Sequence, residues 1–409
     1  MLAEIRPLTR DDAEAADALS TEAFGAPPRA LREPWPVPGT CPWGAFVGVE
    51  LAGVATVRAF RSWFGGDAVP TAGIAAVAVR PEHRGSGLLA PLFAALLADA
   101  REWDGGTRSG PVAEPSSCAK VPRSRPSGAV VSTLFPTAPG IYRGLGYEIV
   151  GELADVDVPV EPLTRIPAPS GITLQRADPD DERDAAAHRD VYTRWAAAQN
   201  GPLTREGPQQ RPFDGRDTVT IAVDPSGTAV GYAAWSRADG STLPVHELIA
   251  LTAPAATALW RLFGGFASLA RTVRLRTSGA DLTRLALPAA PWRPVQQWPY
   301  CLRLLDVAGA FRARRVAPID VTLPFTVTGD GLDGTYRLTA HSGTVACEPA
   351  DGDGGDGPVF AGRGLALAYA GVQSCANLRF GGLLSGPDAD DGRWDALLGG
   401  RPFHIRNYF

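Results

Sequence analysis

Residues 77–89 read Val-Ala-Val-Arg-Pro-Glu-His-Arg-Gly-Ser-Gly-Leu-Leu, a strand that runs into a glycine-bearing turn and then into a helix. Residues 71–79 are small, often β-branched and uncharged, as a buried strand requires. Leu88, Leu92 and Leu96, with Leu89, Phe93 and Leu97, recur instead at helical spacing. Gly85 and Gly87 stand between the two periods. Glycine lets backbone N–H groups approach an anion closely, and the positive end of the following helix dipole stabilises it. The stretch therefore predicts a pyrophosphate cradle, to which Arg84 adds a fixed positive charge. A dinucleotide fold is excluded because its three-glycine spacing and downstream acidic residue are missing. A nucleotide-triphosphatase loop needs Gly-Lys-Ser/Thr, and the single lysine, Lys120, lies near no such glycine.

Composition narrows the class. With 45% hydrophobic and 20% charged residues, the chain of 409 residues has the balance of a globular protein and the length for two or three domains. A net charge of −5 offers no basic stripe, so neither nucleic acid nor an anionic membrane is an expected partner. Cys41, Cys118, Cys301, Cys347 and Cys375 form no CxxC pair and no Cys/His ligand spacing. No metal site or disulfide framework is expected, and a reducing cytoplasm fits best. No segment has the flanks of a secretory signal, and no apolar run reaches the roughly 18 residues of a membrane span.

Residues 1–152 read as one α/β unit, with a strand from Ile5, a helix over 11–24 and a hairpin over 45–57. After the cradle strand and helix come a strand over 129–135, a short helix carrying Tyr142, and a final strand from Tyr147. Residues 105–128, rich in Gly, Ser, Pro and Arg, lack apolar periodicity and read as a mobile surface insertion. A Pro-rich connector over 159–169 leads into a second unit, 153–300, with a strand over 172–175, a helix over 178–198, a hairpin over 218–235 and a strand over 245–251. The turn that follows, Thr252-Ala-Pro-Ala-Ala-Thr-Ala-Leu-Trp260, has neither glycine nor arginine where a cradle would lie, so this unit is not expected to bind the anion. Residues 301–409 read as an α+β unit: a helix over 304–315, strands over 319–328 and 334–340, a Gly/Asp hairpin turn over 351–357 and a helix over 364–377.

The spacing Arg84-x-x-Gly87-x-Leu89 resembles the acyl-CoA loop of the GNAT acetyltransferase superfamily, departing only at its last position. The order of units resembles the enhanced intracellular survival (Eis) family of GNAT N-acetyltransferases. That likeness is carried by the cradle, by Ile141-Tyr-Arg-Gly-Leu-Gly-Tyr147, by Tyr192-Thr-Arg-Trp195, by His246-Glu-Leu followed by Leu259-Trp-Arg, and by the terminal Phe409. The resemblance implies a mixed α+β protein of two tandem GNAT-like lobes followed by a sterol-carrier-protein-like domain, assembled as a homo-oligomer, commonly a hexamer. It implies acetyl-CoA as co-substrate and the amine of a small molecule as acceptor. Tyr142 becomes the general acid for the CoA thiolate and the carboxylate of Phe409 the general base. Backbone amides of Val77 and Val79 hold the pantetheine arm and thioester, and Arg84, Gly85, Gly87 and Leu88 hold the pyrophosphate.

The chemistry agrees with these roles: an ammonium must lose a proton before attacking a thioester, and a departing thiolate leaves more readily beside a proton donor. Many GNAT enzymes place a glutamate on the strand before the cradle, whereas Gly73-Ile-Ala-Ala-Val-Ala-Val has none, so the base must come from elsewhere. The end Phe403-His-Ile-Arg-Asn-Tyr-Phe409 is too apolar for a solvated tail, its aromatic residues would bury the terminal carboxylate, and His404 lies close to that base. Members of the Eis family carry acids after the first helix and beside the terminal Phe. Here those places read Phe24-Gly-Ala-Pro-Pro and Tyr408-Phe409, which favours a smaller or more apolar amine than a polycationic aminoglycoside. Trp35, Trp43 and Trp63 either wall its pocket or pack in the core, two readings the sequence supports equally. Pro91 is expected to bend the cradle helix by removing a backbone bond past its first turn. A CoA-sensing or apolar-ligand-binding scaffold without catalysis is the alternative reading.

Overall fold

The computed structural model describes residues 3–25, 34–102, 128–206, 218–237, 239–287, 292–350 and 357–409. Twelve strands form one sheet, in the order β1-β2-β3-β4-β5-β12-β6-β11-β10-β9-β8-β7. The first half holds β1 (Glu4–Pro7), β2 (Thr40–Val47), β3 (Glu50–Phe64), β4 (Asp67–Val79) and β5 (Val131–Leu134). The second half holds β6 (Glu148–Pro159), β7 (Thr173–Arg176), β8 (Thr218–Val223), β9 (Ala229–Trp235), β10 (Thr242–Ala250), β11 (Thr272–Ser278) and β12 (Arg293–Leu304). Helices α1 (Ala13–Phe24), α2 (Leu89–Glu102) and α3 (Pro139–Arg143) cover the first half, and α4 (Glu182–Ala197) and α5 (Ala253–Gly264) the second.

The sheet is continuous because the two lobes exchange strands. β12, the last strand of the second lobe, pairs antiparallel with β5 through Cys301–Leu304. β6 pairs with β12 on one side and β11 on the other. The sequence divisions at residues 152 and 300 thus fall inside β6 and β12. The helix expected from Leu304 is shorter: β12 occupies Cys301–Leu304, and α6 (Val307–Arg312) starts after Asp306, whose side chain caps it. The Pro-rich connector is not a free linker. Its Val160, Leu163 and Ile166 are buried in the second lobe's core.

A second sheet, β15-β14-β13-β16-β17, is built from β13 (Val321–Thr328), β14 (Gly334–His341), β15 (Thr344–Pro349), β16 (Val359–Ala361) and β17 (Leu384–Ser385). Because β15 and β16 are not neighbours in it, the Gly/Asp stretch between them does not close a hairpin; residues 351–356 themselves, like 105–127 of the expected insertion, lie outside the described residues. The helix expected over 364–377 is two helices. α7 (Gly362–Ala370) stops at Gly371, whose φ of 73° only glycine adopts cheaply, and α8 (Cys375–Phe380) restarts under a Ser374 cap. With α9 (Asp391–Leu398), these helices bury Phe311, Tyr369 and Trp394 in one core with Phe64, Tyr300 and Leu302 of the large sheet. Among the described residues no helix is long and apolar enough to cross a membrane.

Candidate active site

β4 and β5 run parallel over Thr71–Ile74 and Val131–Leu134 and then part. Directly beyond, β4 carries a bulge: Ala75 pairs with Thr56 and Ala78 with Val54, so Ala76 and Val77 together face the single residue Ala55. Ala76 takes φ 51°, a left-handed conformation costly for a residue with a Cβ. An extra residue at a bulge drops out of the ladder and re-aims its neighbours. The backbone at Val77, one of the expected thioester-holding positions, therefore lies where pairing with β3 is broken. Val79 is paired with Gly53 on β3. Periodicity gave no sign of the bulge, since the run Ala75–Ala78 is uniformly small and apolar.

The turn after β4 has the geometry a cradle needs. Gly85 and Gly87 take φ 75° and 80°, and a Cβ at either would meet open space, so it is the backbone angle that demands glycine there. Leu88 is buried against Ala45 and Ala52, which anchors the loop, while Arg84 is exposed and its Nε donates to the Val79 carbonyl at 3.4 Å. Arg80 donates through Nε to the Leu51 carbonyl at 3.0 Å, and both Arg80 and His83 reach Glu50, at 3.2 and 3.3 Å. His83 thus helps to hold the turn. Pro91 is the third residue of α2 and lies in its first turn, where an N–H has no intrahelical acceptor; it removes no bond, contrary to the expectation.

Tyr142 sits on α3, its ring 5.9 Å from Phe93 of α2. Only 7% exposed, its phenol is pushed up to about 12, chiefly by burial. It therefore remains a proton donor at neutral pH. Arg143 beside it bonds Glu148 at 2.7 Å, and Arg363 of α7 bonds the same carboxylate at 3.1 Å, so the third unit braces α3. Cys301 lies in the same cluster as Tyr142, and burial pushes its thiol up to about 12, too high for a nucleophile.

Phe409 lies on the other side of the sheet. Its ring is 4.8 Å from Phe60, 5.5 Å from Phe135 and 6.2 Å from Tyr300. Tyr300 and Cys301 are successive residues of β12 and point to opposite faces, one towards Phe409 and the other into the cluster of Tyr142. Gly73 permits this approach: a Cβ there would stand 2.5 Å from Phe60 and 2.9 Å from Phe409. A glycine inside a strand is the sequence signal for such contact. The three tryptophans do not converge. Trp43 packs with the α2 cluster, Trp35 with α1 and Trp63 with the second lobe, because they project from the sheet into separate cores. The rings near the terminus are instead Phe60, Phe135, Tyr300, Tyr408 and Trp298.

Parted strands, a bulge and a glycine turn at a helix start lie together at one end of β4. Two acetyltransferase (GNAT) domain profiles match the chain, at residues 4–108 and 182–304. The chain belongs to the GNAT N-acetyltransferases. Within them it is Eis-like. It is 29% identical to the N-acetyltransferase Eis of Mycobacterium tuberculosis over 331 residues, covering 75% of this chain and 73% of the other. It is 27% identical to an uncharacterized N-acetyltransferase of Streptomyces avermitilis over 389 residues, covering 86% and 88%. The crystal structure of a GCN5-related N-acetyltransferase from Kribbella flavida superposes with TM-score 0.80 at 28% identity, covering 100% of this chain and 99% of that one.

Proposed function

We propose that the first lobe transfers the acetyl group of acetyl-CoA directly to the primary amine of a small molecule. The observation that carries this is the pairing of a buried, protonated Tyr142 and a C-terminal Phe409 on opposite faces of the sheet where β4 leaves β5. Acetyl-CoA fits the residues present: Gly85 and Gly87 leave an open backbone turn at the start of a 14-residue helix, whose first N–H groups suit a pyrophosphate. Arg84, Gly85, Gly87 and Leu88 would hold that group, and Val77 and Val79 the pantetheine arm. The thioester supplies an activated acetyl group. The Phe409 carboxylate takes the proton from the acceptor ammonium, and Tyr142 gives its phenolic proton to the departing sulfur.

The surroundings favour an apolar or small acceptor. Asp155 and Asp157 of β6 are each held by an arginine of β11, at 3.0 and 2.8 Å, and Glu152 accepts from Gln297, so these carboxylates are already engaged. We take the chain as three units, 1–152, 153–300 and 301–409, acting as a homo-oligomer; mass photometry tests the last point. Thiol release from acetyl-CoA is the test of function, with aryl-alkylamines, polyamines, lysine peptides and aminoglycosides as acceptors. Acceptor-dependent release that is lost in Tyr142→Ala is expected; CoA binding without turnover on any amine overturns the proposal.

A further inference from the structure

The second lobe repeats the opening of the first but fills it. β10 and β11 pair over Thr242–Val245 and Thr272–Leu275 and then part, and β10 bulges at once, since Val245 pairs with Trp235 and Glu247 with Ala234. Glu247 is the first paired residue after this bulge, the place Ala78 takes in the first lobe. Its carboxylate is fully engaged: Arg205 grips it twice, at 2.8 and 2.7 Å, and the Tyr232 hydroxyl donates to it. The Arg205 guanidinium lies 3.6 Å over the ring of Tyr192, whose hydroxyl donates to the Leu203 carbonyl at 2.7 Å and lies 3.3 Å from the side-chain amide of Asn407.

The diverged end of β11 binds the residues just before Asn407. The Ile405 N–H donates to Ser278 Oγ at 3.1 Å, and Arg406 donates to Thr277 Oγ1 at 2.8 Å and to Asp281 at 2.9 Å. The Arg406–Asp281 pair is almost completely buried, with side chains 2% and 3% exposed. Gly201 and Gly279 lie so close under Phe403 and His404 that a Cβ at Gly201 would stand 2.5 Å from the His404 carbonyl. A charge pair removed from water at such cost, in a lobe without a cradle, holds a peptide segment in one register.

We infer that the second lobe has become a receptor for the chain's own C-terminal peptide, with Tyr192, set by Arg205 and Glu247, and Asp281 acting as positioning residues for the Phe409 carboxylate. The effect on turnover rests on the proposed role of that carboxylate; the docking of the tail does not. The peptide enters at Phe403, is fixed at Ile405–Asn407 by β11 and α4, and delivers Phe409 across to Gly73 of β4.

The test uses the full-length protein and two readouts. Carboxypeptidase digestion measures how often the tail leaves its groove, and stopped-assay thiol release gives kcat and KM. Tyr192→Phe removes one hydroxyl and keeps the ring; Asp281→Asn strips Arg406 of its counter-charge and is the variant at risk of misfolding. For Tyr192→Phe, release of Phe409 and Tyr408 is expected to quicken roughly tenfold, the scale of one lost buried hydrogen bond. Its kcat is expected to fall about ten- to a hundredfold with KM for acetyl-CoA unchanged, since a displaced reacting group costs that much. Faster release with unchanged kcat supports the receptor and overturns the carboxylate as base. Release as slow as in the unmodified chain, in both variants, overturns the receptor whatever the activity does.

Discussion

β4 leaves β5 after Ile74 and β10 leaves β11 after Val245, each shortly before a bulge, so both lobes build the same gap in their half of the sheet. They differ in what comes next. Nine residues, Arg80–Leu88, separate β4 from α2, whereas only Leu251 and Thr252 separate β10 from α5. The long turn carries Gly85 and Gly87 at positive φ ahead of α2, whose first N–H groups would face the pyrophosphate of the proposed donor. In the short one, Thr252 accepts the Ala255 N–H at 3.3 Å and Pro254 has no N–H to offer, so α5 satisfies itself. The first gap has an open glycine turn beside it, and the second holds the Glu247–Arg205 pair, with the C-terminal peptide bound at the end of β11. Duplicated folds can thus be told apart by asking which helix start is left open.

The largest effect should come from the first gap. Tyr142→Phe is expected to lower kcat by about 10²–10⁴, the range for loss of a positioned acid, while acetyl-CoA still binds by calorimetry. A variant as active as the original breaks the assignment of the open gap to catalysis. The second gap should answer in stability. Glu247→Gln leaves Arg205 buried without its counter-charge and should cost about 3–5 kcal/mol in urea unfolding. A loss confined to acetyl-CoA affinity would mean that the second gap still binds donor.

The strand, glycine turn and helix beside the open gap were legible in the sequence because they follow one another within 77–89. The exchange of strands was not. β12 begins Arg293-Pro-Val-Gln-Gln-Trp-Pro, which alternates in neither helical nor strand period, so nothing marked it as the partner of β5. β11 went unread although its signal was present: Val273, Leu275 and Thr277 alternate with Arg274 and Arg276, which pair with Asp157 and Asp155 across the sheet. The tail could be judged apolar, and its last residue singled out, yet the groove formed by Asn200, Ser278 and Asp281 is assembled from positions more than a hundred residues away. The aromatic pocket failed on the same ground, because Trp35, Trp43 and Trp63 are close in sequence but face three cores.

Acid should separate the halves of the molecule next. Burial, first, lowers both His188 and His404 to about 4 from an ordinary 6.5, and both belong to the closed gap or its peptide. With the folded value depressed, the unfolded chain binds the extra protons, so their contribution is complete above pH 6.5 and is lost as pH falls towards 4. By pH 5 each should cost about 2 kcal/mol of unfolding free energy. His404→Gln is expected to flatten the stability profile between pH 7 and 5 and to leave the tail in place; an unchanged slope would remove His404 from the account.

The smallest effects give the sharpest contrast, because they touch the same step of the fold in each lobe. Gly87→Ala puts a Cβ on a residue at φ 80°, with empty space around it, so the cost is backbone strain of about 1–2 kcal/mol in an exposed turn. Relaxing that strain reshapes the turn, and KM for acetyl-CoA should rise about tenfold if the bound state has to restore the original backbone at that cost. Thr252→Ala removes only the cap of α5 and should lower stability by about 1 kcal/mol with KM untouched. Measured side by side, only Gly87→Ala should move KM, whereas Thr252→Ala shows in the melting temperature alone. If Thr252→Ala shifts KM as much as Gly87→Ala does, the second lobe contributes to donor binding, and the division between an open and a closed gap no longer describes this molecule.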